Sequence, residues 1–279
     1  MKPLYILKIG GSVATYKNRL GVSVRKKLLQ GIAQAIASAK KKKNFDLILI
    51  HGAGAAGHQL AHKYGLRDGV RNGEEKWKGA FESRLVNQRL NNAITEIFNS
   101  AGLRITPTHT ASVIIQENKR IIDCNLRIIK EALSWDCIPL LYGEMVFDSK
   151  LGMSICSGDA IAPYLAKELD VKKIFFASDV DGIFDQDPHL YKNAILLEEI
   201  NLANIKKASR LTGSHNTDVT GGLGGKIACL NSNVKSLEAV EIFNGLLSEN
   251  FKKAILEEKF PHTKIIIKKD GLKPSRKTC

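Results

Sequence analysis

Short, mostly apolar runs at residues 4–9, 45–50, 138–142, 173–177 and 239–243 constrain this 279-residue chain most. Several lead directly into glycine-rich or acidic turns. Between them lie longer segments whose apolar residues recur at helical spacing, at 24–41, 57–64, 76–101, 128–135, 160–169, 205–211 and 225–233. Residues 264–267 read as a last strand, and 104–107 and 112–115 are short and ambiguous. Strands that are apolar on both faces must be buried on both faces. Alternation of such strands with helices predicts a three-layer αβα sandwich around a mainly parallel central sheet. The length suits one such domain, with a mild division near residue 172 separating a 1–172 lobe from a 173–279 lobe.

Ligands in open α/β sheets bind beyond the strand C-termini, so the turns there carry the functional reading. The first, Lys8-Ile9-Gly10-Gly11-Ser12, closes the 4–9 strand, and Lys17 follows nine residues after Lys8. Adjacent glycines bring backbone N–H groups close to an anion, and the flanking lysines add positive charge. The P-loop pattern is absent. The second, His51-Gly52-Ala53-Gly54-Ala55-Ala56-Gly57-His58, joins a strand to a helix N-terminus, a natural anion site with His58 beside it. It also reads as a tight connection with a capping histidine.

Ser157-Gly158-Asp159 opens another helix. It suits an ordinary N-cap and equally an Asp that organises nearby lysines. Ser178-Asp179-Val180-Asp181-Gly182 places acidic groups after a strand, fit for a nucleotide or a plain turn. The stretch from Asp218 to Lys226, with Thr220, four glycines and the lysine, fits a phosphate-binding loop. Its bland alternative is a surface loop. Taken together, two lysine-bearing glycine turns, a glycine–histidine turn and two acidic turns suit phosphoryl transfer between anionic substrates. That chemistry rests on positioning and positive charge, with no need of a nucleophilic Ser or Cys.

Other classes are disfavoured. The net charge of +14 raises nucleic acid or a membrane surface as partners. The charge is not one continuous block, however: Lys40–Lys43 form one run, and the last dozen residues hold Lys268, Lys269, Lys273, Arg276 and Lys277. No aromatic-interleaved basic patch accompanies it, so nucleic-acid binding is not expected. No apolar run approaches the roughly 18 residues of a membrane span, and the N-terminus lacks a signal-peptide pattern. Five cysteines, with no C-x-x-C pair, predict reduced thiols, a cytoplasmic location and no zinc site.

These motifs resemble the amino acid kinase superfamily over essentially the whole chain. Within it, Gly54-x-x-Gly57-His58 continuing into Ala61-His62-Lys63-Tyr64-Gly65-Leu66 is most similar to the isopentenyl phosphate kinase subgroup, and less so to fosfomycin kinase. The resemblance implies ATP with magnesium and a homodimer, while no residue of the sequence itself stands out as a dedicated metal ligand. It implies that Lys8, Gly10, Gly11, Ser12, Gly54, Asp179, Gly222 and Lys226 bind ATP. Lys17 would stabilise the transferring phosphoryl group. Ala53, Gly54, His58 and Gly158 would bind the acceptor, and Asp159 would orient the lysines. Lys8, Lys17, His58 and Asp159 form the implied catalytic set.

Ala53 replaces a usual glycine, and Ala55-Ala56 replaces a Ser with an apolar or aromatic neighbour, so the acceptor pocket departs from the subgroup pattern. An isoprenoid tail would need an apolar pocket near 77–97; Phe81, Leu85 and Val86 there have the spacing of a core face. A kinase for another phosphate or phosphonate, and a non-catalytic nucleotide- or oxyanion-binding protein, are the alternatives.

Overall fold

The computed structural model describes residues 2–16, 21–71, 73–188, 190–202 and 236–267. An eight-stranded sheet forms the middle layer. It contains β1 (Leu4–Ile9), β2 (Asp46–His51), β3 (Ile105–Pro107), β6 (Ile138–Tyr142), β9 (Val171–Ser178), β10 (Glu199–Asn201), β11 (Ala239–Asn244) and β12 (His262–Ile266). The order is β10-β12-β11-β9-β1-β2-β6-β3. Only β11 and β12 pair antiparallel; the other neighbours run parallel. The expected mainly parallel sandwich is what the chain forms.

The period-2 geometry of a strand explains the three layers. In β1, Ile6 packs into one apolar cluster, and Tyr5, Leu7 and Ile9 into another. In β2, Ile48 and Ile50 join the first, and Leu47 and Leu49 the second. The first cluster is capped by α6 (Leu126–Ser134) and α7 (Gly158–Glu168) through Ile129, Ile161 and Leu165. The second is capped by α2 (Lys26–Lys42), α4 (Glu74–Ser100) and Glu249–Leu256, here α8, through Ile32, Ile36, Leu90, Phe98, Phe251 and Ile255. Lys40, Lys41 and Lys42 fall in the last turn of α2, where the helix dipole favours cations.

The sequence reading missed a second, four-stranded sheet, ordered β5-β4-β7-β8. Its strands are β4 (Ile114–Glu117), β5 (Arg120–Cys124), β7 (Glu144–Asp148) and β8 (Gly152–Cys156). The ambiguous 112–115 segment splits into the end of α5 (Thr110–Val113) and the start of β4. Asp148 holds this sheet's turns: its carboxylate accepts from the amides of Asn118, Lys119, Lys150 and Leu151 and from the Ser154 hydroxyl. These strands are short and mix exposed with buried positions, so they lack the apolar runs that mark the central sheet.

Two further expectations change. Helix α3 (Gly54–Lys63) starts at Gly54, so the glycine turn is already part of the helix. Phe81 and Leu85 are exposed, while α4 buries Gly79, Ala80, Ser83, Asn87, Leu90, Asn91, Ile94 and Phe98. The helices expected at 205–211 and 225–233 lie outside the described residues.

Candidate active site

One glycine extends the central ladder by a rung at each of four strand ends. The Gly10 amide donates to Ala177 O at 2.9 Å, Gly52 to Ile9 O at 3.0 Å, Gly143 to His51 O at 2.9 Å, and Gly245 to Ser178 O at 2.7 Å. A Cβ at Gly10 would sit 2.8 Å from Ala177 O, and one at Gly52 would sit 2.8 Å from Gly11 N. No side chain fits in that spacing. The strand ends are therefore lined by bare backbone, which an anion can approach. Gly143 and Gly245 were missed from sequence, although Gly143 directly follows an apolar run as Gly10 does.

The first two glycine turns touch. A Cβ on Gly11 would meet Gly54 N at 3.1 Å and Gly54 Cα at 3.2 Å. Gly54 has φ +69°, a conformation that favours glycine. Helix α1 (Gly11–Ala14) begins at the first turn and α3 at the second, so two helix N-termini meet beside the sheet. Ser12 lies in α1, partly exposed. His58 is exposed on α3, one turn beyond Gly54 and on the same face, since residues four apart align.

Lys8 shares a strand face with Ile6, which points it toward α7. Its Nζ lies 2.7 Å from Asp159 Oδ1 in the first turn of α7, with the two side chains 15% and 20% exposed. Gly158 lies beside this pair: a Cβ there would meet Ile50 Cγ2 tightly at 3.0 Å and stand in ordinary contact with Lys8 Cε at 3.6 Å. Gly143 approaches Gly158 N and Ala53 N to within 3.2 and 3.6 Å by the same measure. Lys8, Gly10, Gly11, Ala53, Gly54, Gly158 and Asp159 are thus brought together. Asp179 follows β9, two residues after the carbonyl that receives Gly10. Lys17, Gly222 and Lys226 lie outside the described residues.

Beneath the turns is a buried polar layer that the sequence reading passed over. The His51 ring stacks on Tyr142 at 5.1 Å. Burial pulls its pKa down to about 4, against the opposing pull of Gly52 O and Asn91. The ring is therefore neutral and carries one N–H. His51 Nδ1 sits 2.8 Å from Gly52 O and must be the donor there. Nε2 is then an acceptor, 3.2 Å from the Asn91 amide, whose Nδ2 is otherwise buried without a partner. The Asn91 orientation that serves both groups presents Nδ2 to the ring. Asn87 Nδ2 donates to Gly143 O at 3.1 Å. Asn87 and Asn91, four apart in the 76–101 helix pattern, are a faint sign of this layer in the sequence that does not say what they meet.

A second network flanks the first. Glu144 Oε1 accepts from Ala111 N at 2.9 Å and Oε2 from Arg84 Nε at 3.3 Å. Burial pushes its carboxyl above the ordinary range, against those two partners and Tyr142. The Tyr142 hydroxyl also meets His109 Nδ1 at 2.6 Å. Cys124 and Cys156 are buried thiols. Among the described residues no group of three or more His, Cys, Asp or Glu side chains is arranged to hold a metal, and no helix is long and apolar enough to cross a membrane.

A mainly parallel αβα sandwich with glycine turns and a paired lysine at its strand ends is the frame of a phosphoryl-transfer enzyme. Residues 3–244 match the model of the amino acid kinase family, and the chain belongs to that family. It is 36% identical over 263 residues to isopentenyl phosphate kinase of Methanocaldococcus jannaschii, covering 91% of this chain and 96% of that protein. It is 29% identical to the protein of the same name from Methanothermobacter thermautotrophicus, covering 94% and 98%. A solved isopentenyl phosphate kinase structure superimposes with a TM-score of 0.78 at 25% identity, covering 94% of this chain and 99% of that one.

Proposed function

We propose that this chain is an ATP-dependent kinase that converts isopentenyl phosphate to isopentenyl diphosphate by direct in-line transfer, supplying isoprenoid precursors. The observation that carries the reading is the contact between the Gly10–Gly11 and Gly54 turns beside the Lys8–Asp159 pair. Two anion-binding turns in backbone contact can hold a donor and an acceptor phosphate side by side, which direct transfer requires. The likeness to isopentenyl phosphate kinases over nearly the whole chain supports the choice of acceptor.

In this reading the backbone of Gly10, Gly11 and Ser12, with Lys8, cradles the ATP phosphates. Asp159 holds Lys8 by the 2.7 Å ion pair and aims its ammonium. Lys17 neutralises charge on the phosphoryl group in flight. Ala53 and Gly54 lie between donor and acceptor, while His58 and Gly158 hold the acceptor phosphate. Asp179, Gly222 and Lys226 complete the nucleotide site. Residues 1–172 form the acceptor lobe and 173–279 the ATP lobe of one domain.

The donor set fits a magnesium ion that arrives on the nucleotide, because magnesium retains water and phosphate ligands and needs few from the protein. When bound it would neutralise phosphate charge. The enzyme would work in the cytoplasm as a homodimer.

The test is ADP release from Mg-ATP with isopentenyl phosphate, dimethylallyl phosphate, fosfomycin and UMP. The expected outcome is a kcat/KM for isopentenyl phosphate far above the others. Preference for fosfomycin or UMP would overturn the acceptor. ATP binding without turnover on any of them would favour a non-catalytic binder.

A further inference from the structure

We infer that Thr15 is a positioning residue that sets the separation between the two phosphate-binding turns, an inference that rests on the proposed phosphoryl transfer. The N-terminus of α3 has no side-chain cap of its own, because Ala53 occupies the N-cap position. Its hydroxyl acceptor comes from elsewhere. Thr15 Oγ1 accepts from the Ala55 amide at 3.1 Å and donates to Gly11 O at 2.9 Å. One hydroxyl therefore bonds both turns at once. The methyl side of Thr15 also packs on the second turn, since a Cβ on Gly54 would lie 2.9 Å from Thr15 Cγ2.

The hydroxyl has little freedom to wander. Thr15 is 3% exposed, and its β-branched side chain is stiff at χ1. Its amide donates to Gly11 O at 2.9 Å, and its carbonyl accepts from Arg25 Nε at 3.2 Å. A bridge from Thr15 to Val24 pins the main chain from the other side, and the Arg25 guanidinium lies 4.3 Å over the Tyr16 ring. An ordinary tertiary cap would steady α3 alone. This one couples the helix that starts at the acceptor turn to the carbonyl of the donor turn, two residues before Lys17 in sequence. Transfer rates are steep in reactant separation, with a misplacement of about 1 Å costing on the order of 100-fold.

Thr15→Val keeps the branched shape and removes the hydroxyl, and Thr15→Ser does the reverse. For Mg-ATP and isopentenyl phosphate, the expected result for Thr15→Val is a kcat lower by about 30-fold, with both KM values within about 3-fold of wild type. Thr15→Ser should keep kcat within about 3-fold. A purely structural role would instead lower kcat of Thr15→Val only in step with its thermal midpoint, and that pattern would overturn the inference.

A second measurement is independent of the acceptor's identity: titration of ADP and inorganic phosphate, separately and together. Thr15→Val should change the mutual effect of the two ligands by at least about 3-fold while leaving each single affinity nearly intact. An unchanged mutual effect, or none in the wild type, counts against positioning. If the wild type ignores isopentenyl phosphate yet the mutual effect shifts as expected, the proposed acceptor fails and the role of Thr15 stands.

Discussion

Single residues at the strand ends divide between those that face the substrates and those that hold the turns in shape. His58, exposed on the α3 face shared with Gly54, is proposed to be of the first kind. His58→Ala should lower kcat/KM for the acceptor by about 100-fold and leave ATP affinity within about 3-fold. Equal loss of both, measured by steady-state kinetics and nucleotide titration, would remove it from the acceptor site. His51 belongs to the second kind. Its folded pKa of about 4 lies below the unfolded value near 6.5. The unfolded chain therefore takes up a proton first as pH falls, and stability that is intact above about pH 6.5 drains away toward pH 4, by roughly 3 kcal/mol at most. Urea unfolding should show that slope between pH 6.5 and 5, and His51→Gln should flatten it. Identical slopes in the two proteins would mean that His51 is not the group responsible.

At the scale of elements, close helix packing sets the α3–α4 spacing. Gly79 sits inside α4 against the Tyr64 ring just past α3, where an added Cβ would lie 2.2 Å from Tyr64 Cγ. Helix propensity alone would reward Gly79→Ala by about 1 kcal/mol. The collision predicts the opposite sign, a loss of about 1–3 kcal/mol from overpacking. Denaturant unfolding decides between them, and a gain in stability would show that Tyr64 can swing away at little cost. Gly57 is as tightly placed, with Asn87 Oδ1 2.6 Å from where its Cβ would be. The α3–α4 spacing is therefore set by glycines whose helical surroundings gave no sign of it in the sequence. Helix periodicity located α4 to within two residues, yet misjudged Phe81 and Leu85. Apolar spacing alone does not say which stripe the partner elements will cover.

Across the whole molecule, the glycine turns and the Lys8–Asp159 pair gather at one end of the parallel sheet, and a separate charge network lies away from them. Lys173 Nζ lies 3.0 Å from Glu241 and 3.4 Å from Glu257, and Glu257 pairs with Lys43 at 3.1 Å. Burial pulls the Lys173 ammonium down, but the two carboxylates outweigh that and hold it above the ordinary lysine value. Glu241→Gln leaves a buried ammonium with one partner and should cost roughly 2–3 kcal/mol. It should leave kcat unchanged, because neither residue lies among the glycine turns. Lost activity at unchanged stability would contradict that separation of roles. Six of the eight central strands, the mainly parallel sense of their sheet and the turns bearing Lys8, Gly54, Asp159 and Asp179 were legible in the sequence, whereas β3 read as ambiguous and β10 was missed. Burial on both faces demands continuous apolar runs, and backbone approach to an anion demands glycine. The second sheet, the neutral His51 layer and the Thr15 link were not legible. The second sheet lacks continuous apolar runs, and the other two depend on polar residues from distant parts of the chain meeting in space, as when Thr15 meets Ala55 or His51 meets Asn91. A hydrogen bond between residues 40 apart leaves no local periodicity, so only the packed tertiary structure could decide it.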